Sequence, residues 1–109
     1  MVGYIAIDTA TAGPNTLVAA LSNKKIQVIQ YTINAVEDNS VTFLSNSTPM
    51  TGPMSFSASE SIVSVCAPST YQTMNALFET NSGEALVIDL LNGTQVSGHL
   101  TYRIVDDTV

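Results

Sequence analysis

The chain has few of the side chains on which enzymatic and metal-binding chemistry depends. Only 11% of its 109 residues are charged, tryptophan is absent, and histidine and cysteine each occur once. Because catalysis usually requires several titratable groups that converge on one site, the composition predicts a protein without enzymatic activity. The single cysteine, Cys66, has no partner for an intrachain disulfide, and its small and apolar neighbours predict a buried residue.

Positive charge is scarce as well. Nine acidic residues outnumber Lys24, Lys25 and Arg103, so the formal net charge at pH 7 is -6. A surface of this sign repels phosphate backbones and anionic lipids, which predicts that neither nucleic acid nor a membrane is a partner. No stretch approaches the roughly 18 apolar residues of a membrane span, and the segment after Met1 lacks the basic region and apolar run of a signal peptide. We therefore expect synthesis in the cytoplasm.

The chain does contain many short segments with the two-residue periodicity of β-strands, separated by Ser, Thr, Asn, Gly and Pro. The clearest is 96–104, where apolar or small residues at even positions alternate with polar residues at odd positions. In the segment 25–36 the apolar phase slips by one residue at Val28 and Ile29, which predicts a β-bulge there. Further strands are predicted at 4–9, 16–21, 41–44, 54–57, 61–66, 76–80 and 85–91.

This succession of strands predicts the fold class. Asn92-Gly93 is typical of a tight hairpin turn, so we expect 86–91 to pair antiparallel with 95–100. Helix is predicted only as a single turn at 71–77. The residues 1–109 are therefore predicted to form one all-β domain, an antiparallel two-sheet β-sandwich of about eight strands with little helix.

No motif predicts a catalytic or metal site. His99 lies within a predicted strand on its polar face, and it is interpreted as a surface or interface histidine. Cys66 and His99 lack the paired spacing of a zinc site. The acidic pairs Glu37-Asp38 and Asp106-Asp107 could supply oxygen ligands to calcium, but without an alternating Asp spacing they are interpreted as a solvated turn and a solvated tail. No cofactor and no metal are expected.

Two segments are candidates for contact with another protein. The apolar segment 1–9 precedes the Gly13-Pro14 turn, and it is predicted to be either an N-terminal arm that adds to another chain's sheet or the first strand of its own sandwich. The methionine-containing segment 50–56 could form an adaptable apolar contact, although strand alternation favours core positions for Met54 and Phe56. The candidate interface residues are Val2, Tyr4, Ile5, Ile7, Met50, Met54 and Phe56.

Short pieces distributed over residues 13–102 carry a family resemblance. The series resembles the small β-sandwich virion proteins of tailed bacteriophages, a group that contains capsid decoration (cement) proteins and small tail or fibre modules. In chain order the pieces are Gly13-Pro14-Asn15-Thr16-Leu17-Val18-Ala19-Ala20, Lys24-Lys25-Ile26-Gln27-Val28, Val41-Thr42-Phe43, Thr51-Gly52-Pro53, Phe78-Glu79-Thr80, Gly83-Glu84-Ala85-Leu86 and Gly98-His99-Leu100-Thr101-Tyr102.

The resemblance implies a jelly-roll-like sandwich that assembles as a homotrimer and has no catalytic residues. The expected function is therefore a non-enzymatic capsid decoration protein, which binds the major capsid protein at the virion surface and stabilises the shell. The alternative is a tail fibre or baseplate module that binds a cell-surface glycan. A charge-poor surface rich in Ser and Thr suits close packing of symmetric copies, because these side chains lose less entropy on burial than Lys or Glu.

Overall fold

A computed structural model describes residues 2–65 and 76–106, and within them the chain is all-β without a helix. Cys66 and residues 71–75 of the helical turn predicted at 71–77 fall in the segment 66–75, outside the described residues. The strands are β1 (Val2–Thr9), β2 (Gly13–Val18), β3 (Lys24–Ala35), β4 (Asn39–Ser45), β5 (Thr48–Pro49), β6 (Met54–Phe56), β7 (Ser61–Val65), β8 (Phe78–Glu79), β9 (Leu86–Leu90) and β10 (Val96–Asp106).

The strands form two antiparallel sheets of five strands each, which pack on one another, and this confirms the predicted two-sheet sandwich. The first sheet has the order β1-β10-β3-β7, with β8 pairing with a different stretch of β3. The second has the order β2-β9-β4-β5, with β6 also on β4. The chain crosses between the sheets repeatedly, so strands that are adjacent in sequence are often in opposite layers.

The inner faces of both sheets supply the core. Three aromatic rings meet there: the Phe43 ring centroid lies 5.1 Å from that of Tyr31 and 5.3 Å from that of Phe78. Aliphatic side chains such as Ile33 and Ile88 surround them and are fully buried. This burial follows from the alternation in the sequence, because a two-residue period places every second side chain on one face of a strand.

The predicted β-bulge is confirmed. Thr101 of β10 pairs with Gln30 and the next residue, Tyr102, pairs with Val28, so that Ile29 has no partner on β10. Because of the bulge, the consecutive residues Val28 and Ile29 are both buried, which strict alternation of side chains would not allow. Without it, the residues on one side of this point would face solvent instead of the core.

The predicted hairpin between β9 and β10 is wrong. β9 pairs with β2 and β4 in the second sheet, whereas β10 pairs with β1 and β3 in the first. Neither Asn92 nor Gly93 has the positive φ that a type I′ turn requires. The connection 91–95 instead crosses from one sheet to the other, where the buried side chain of Asn39 holds it.

The segment 2–9 is the first strand of this chain's own sandwich. β1 pairs with β10 over its whole length, from Val2 opposite Arg103 to Thr9 opposite Val96, without a shift in register. The Ile7 side chain is 1% exposed and belongs to the core. Of the two interpretations of this segment, a free arm is therefore excluded for the folded chain.

One glycine permits the central strand pairing. Gly98 of β10 has a φ of +150°, and a Cβ built there would lie 1.8 Å from the carbonyl oxygen of Thr32 on β3. Any side chain at this position would collide with backbone that cannot move without separating the two longest strands. The close approach therefore requires glycine.

We expect Gly98→Ala to lower the free energy of unfolding by about 3 kcal/mol or more, because the methyl group adds both a backbone clash and an unfavourable φ. Urea denaturation followed by circular dichroism measures the loss. Gly52→Ala is the matched control, since a Cβ there has no atom within 4 Å, and it should leave stability within about 0.5 kcal/mol of the parent or slightly above it. Equal stability of the two variants would contradict the close approach.

Candidate interaction surface

Strands at the edges of the two sheets offer unpaired backbone groups, but most of these edges carry features that discourage pairing with another chain. β2 contains Pro14 and a register shift that leaves Leu17 unpaired. β5 has two residues, one of them Pro49, and β6, β7 and β8 have five residues or fewer. Short length, proline and bulges are the usual protection of sheet edges.

The outer edge of β1 lacks these features. The strand has eight residues in unbroken register, with no proline, no lysine and no bulge. No backbone hydrogen bond from another described segment reaches its outer edge. Asp8 is its only charged residue, and the Tyr4 side chain is 82% exposed. We call this strand and its unpaired side the β1 edge, and it is the best template for strand addition that the described residues offer.

The sheet face next to the β1 edge carries little charge. Tyr4 lies opposite Thr101, which lies opposite Gln30, and Ala6 lies opposite His99, which lies opposite Thr32. Gln30 Nε2 donates to Thr32 Oγ1 at 3.1 Å. The side chains of a partner strand added beside Tyr4 and Ala6 would therefore meet polar groups such as Thr101, Gln30 and Thr32, and would avoid the large desolvation cost of burying isolated charges there.

The candidate interface residues are divided by the structure. Ile7 and Phe56 are 1% and 4% exposed, so both are core residues of this chain, which for Phe56 is the position that strand alternation favoured. Their burial follows from inward positions on paired strands. Ile5, Met50 and Met54 are half-buried and pack against the core, and the Tyr31 hydroxyl lies 3.5 Å from Met54 Sδ. Tyr4 is exposed, and Val2 begins the β1 edge.

Charge is distributed unevenly between the two ends of the sandwich. The three cations of the chain, Lys24, Lys25 and Arg103, lie on β3 and β10 near the start of β3, and we call this the basic end. Lys24 Nζ forms an ion pair with Asp106, which lowers the pKa of that carboxyl. Lys25 Nζ lies 3.2 Å from Glu79 Oε2, and Arg103 Nε donates to Gln27 Oε1 at 3.0 Å.

A second carboxylate with a shifted pKa serves a structural role. Glu84 Oε1 accepts hydrogen bonds from Ser45 Oγ at 2.6 Å and from Asn81 Nδ2 at 3.0 Å, and these bonds lower its pKa. Ser45 is itself buried and accepts from the Asn81 backbone N–H at 2.9 Å. These hydrogen bonds hold the turn that leads into β9, so we interpret the Glu84 carboxylate as a structural group.

The opposite end of the sandwich is acidic. The loops 36–38, 57–60 and 91–95 meet there and carry Glu37, Asp38 and Glu60, with no lysine or arginine among them. Asp8 lies nearby, since its Oδ1 accepts from Gln95 Nε2 at 2.7 Å. We call this the acidic end. A cavity of about 290 Å³ opens here between β4, β6 and the connection 91–95, and sequence reasoning did not find it, because its lining comes from segments far apart in the chain.

Neither the grouping of the side chains that the structure describes nor comparison with known proteins identifies a metal site, a membrane helix or a family. Within residues 2–65 and 76–106, no three His, Cys, Asp or Glu side chains are grouped as metal ligands would be. The same residues include no helix that is long and apolar enough to cross a membrane. No known family model matches the chain, and no curated protein is significantly similar to it in sequence.

Asn39 organises the acidic end. This buried side chain donates from Nδ2 to the carbonyl oxygen of Asn92 at 3.0 Å and to Thr94 Oγ1 at 3.0 Å. Its Oδ1 accepts from the backbone N–H groups of Ser40 at 2.8 Å and Asn92 at 2.9 Å. One amide therefore satisfies backbone groups of β4 and of the connection 91–95, and it holds this connection against the second sheet.

We expect Asn39→Asp to lower the free energy of unfolding by about 2 to 4 kcal/mol, because a carboxylate cannot donate and would face the carbonyl oxygens of Asn92 and Thr94, which lie 3.0 and 3.3 Å from Nδ2. Chemical denaturation at pH 7 measures the change. Asn23→Asp introduces the same charge at an exposed turn with a φ of 61°, which aspartate tolerates, and should change stability by no more than about 0.5 kcal/mol. An Asn39→Asp protein as stable as this control would contradict the organising role.

Proposed function

We propose that this protein is a non-enzymatic structural protein of a phage virion, a capsid decoration protein that docks on the assembled shell. The observation that carries the proposal is the β1 edge, an eight-residue strand without the usual protection against pairing. Unprotected edges are an aggregation hazard, so retaining one suggests a use for it. A chain with 11% charged residues and many small polar ones is also suited to extensive protein contact.

In the proposed docking, a strand of the major capsid protein adds to the β1 edge. Main-chain hydrogen bonds would then provide affinity, while side chains that flank the edge provide specificity. Tyr4 is the principal flanking group, because its ring is 82% exposed and tyrosine combines a large apolar area with a polar hydroxyl. Ala6, its neighbour on the same face, leaves room for a partner side chain.

Stabilisation of the shell follows from binding alone. A protein that binds the assembled shell and not the separated subunits shifts the assembly equilibrium by mass action, by about 2.7 kcal/mol per site at a free concentration one hundred times the Kd. The proposed function therefore needs no catalytic group. It needs a rigid domain with a self-contained core and a surface that is complementary to the shell, and the buried inner faces of the two sheets supply the first requirement.

We expect the double variant Tyr4→Lys, Ala6→Lys to bind shells assembled without this protein at least about tenfold more weakly than the parent, because lysines on an edge strand oppose strand addition. Co-sedimentation with purified shells measures the affinity. Thr16→Lys, at an exposed position on the edge strand β2, is the control and should bind like the parent. Failure of the parent to bind at micromolar concentration, or equal binding by the double variant, would contradict the proposal.

We further expect the isolated protein to be a homotrimer, as the family resemblance implies. Sedimentation equilibrium between about 1 and 100 μM, the range of common oligomer affinities, should report a mass three times that of the chain. The double variant at Tyr4 and Ala6 should keep this mass if the β1 edge is reserved for the shell. A monomer throughout the concentration range would contradict self-association.

A further inference from the structure

The cavity at the acidic end is lined by side chains that can accept hydrogen bonds. Asp38 lies at its wall, where Oδ1 accepts from the Ala58 backbone N–H at 2.8 Å, so that Oδ2 remains for a ligand. Asn92 uses Nδ2 to donate to the carbonyl oxygen of Asp38 at 3.2 Å, which leaves its own amide oxygen available. Ser40 and Ser55, which are paired across β4 and β6, add hydroxyl groups.

Apolar side chains form the rest of the wall. Phe56 closes the inner side of the cavity, and Leu91 stands at its rim with 71% of its surface exposed. This exposed leucine lies beside a carboxylate and hydroxyl groups, so the cavity has an apolar part and a polar part. A complementary ligand would combine an apolar stem with a group that donates several hydrogen bonds.

The charge distribution around the cavity favours a positively charged ligand. Asp38 lines the cavity, and Glu37 and Glu60 lie on the two loops that adjoin it, where Glu60 Oε1 accepts from the Ser57 backbone N–H. The two lysines and the arginine of the chain are at the basic end. The local field therefore attracts a cation. We propose that this cavity binds a lysine side chain of a partner protein, with the methylene stem against Leu91 and Phe56 and the ammonium group at Asp38 Oδ2 and the neighbouring hydroxyls.

The geometry favours lysine over arginine. A guanidinium group binds a carboxylate best through two parallel hydrogen bonds, which need both oxygens of the acceptor. At Asp38 the Ala58 N–H already uses one lone pair of Oδ1, so a guanidinium bond to that oxygen would have to share it. An ammonium group needs separate acceptors in several directions, and the carboxylate, the hydroxyls and the Asn92 amide oxygen supply them.

The inference goes beyond the proposed function and does not rest on it. The cavity lies at the loop end of the sandwich, whereas the docking proposal uses the backbone of β1 and the exposed ring of Tyr4. A lysine site could serve a shell protein or another partner. Its test therefore uses the isolated protein and a small probe, so that failure of either idea leaves the other standing.

The probe is the peptide acetyl-Gly-Gly-Lys-Gly-Gly-amide, titrated into the uniformly ¹⁵N-labelled full-length protein at pH 7 and low salt. We expect saturable chemical-shift changes at the backbone amides of residues that line the cavity, among them Asp38, Ser55 and Leu91, with a Kd on the order of 1 mM. The same peptide with norleucine in place of lysine keeps the stem and loses the charge, and should give no saturable change. Raising the salt concentration should weaken binding of the lysine peptide.

Three variants separate the contribution of the cavity from that of the overall charge of the acidic end. Asp38→Asn keeps an oxygen that can accept from Ala58 and should weaken peptide binding about tenfold. Asp8→Asn removes one charge from the same end without changing the cavity lining, and should weaken binding less than about twofold, since a screened distant charge contributes little. Leu91→Ser replaces an exposed side chain, should leave the fold unchanged, and is expected to weaken binding several-fold through loss of the stem contact.

Several results would overturn the proposal. One is the absence of saturable shifts with the lysine peptide, and another is equal binding of the norleucine peptide. Equal weakening by Asp8→Asn and Asp38→Asn would show a diffuse electrostatic effect without a site. Shifts of the same amides by micromolar calcium chloride, without shifts by the peptide, would assign the cavity to a metal ion instead. If Asp38→Asn alters the spectrum of the free protein globally, the comparison of Leu91→Ser with Asp8→Asn decides between the cavity and the field.

Discussion

The pairing of β3 with β10 is the constraint on which the rest of the sandwich depends. These are the two longest strands, and each of the other strands of their sheet pairs with one of them. Their contact is close enough to require Gly98 opposite the Thr32 and Ile33 backbone, and irregular enough to contain the bulge at Ile29. Once the pair is formed in this register, β1, β7 and β8 have only the two outer sides on which to add.

The same pair determines where charge lies. Because β3 starts where β10 ends, Lys24 and Lys25 come next to Arg103 and Asp106, and the few cations of the chain are gathered at one end. The loops at the other end receive Glu37, Asp38 and Glu60 and no cation. The cations are thus confined to one end of the sandwich, and this separation is the physical basis for proposing that the acidic end binds a cationic side chain.

Stability and binding place different demands on neighbouring residues of β1. Its inward side chains, Ile5 and Ile7, pack on the core, whereas Tyr4 and Ala6 face outward. One edge of β1 pairs with β10 and one face packs on the core, so the other edge is still available to a partner strand. This is why a single segment could be read either as an arm or as a first strand: its apolar residues satisfy both patterns, and only its pairing with β10 distinguishes them.

The sequence by itself determined most of the strands, the sandwich class, the inward face of β10 and the bulge at Val28 and Ile29, because each depends on the two-residue period of one continuous segment. Only the tertiary structure decided that β9 and β10 lie in different sheets, that Ile7 is a core residue, and that Asp38 and Leu91 share a cavity. These features depend on contacts between residues such as Asn39 and Asn92, which are distant in the chain. A local turn preference at Asn92-Gly93 is worth little against a buried amide that satisfies several backbone groups at once.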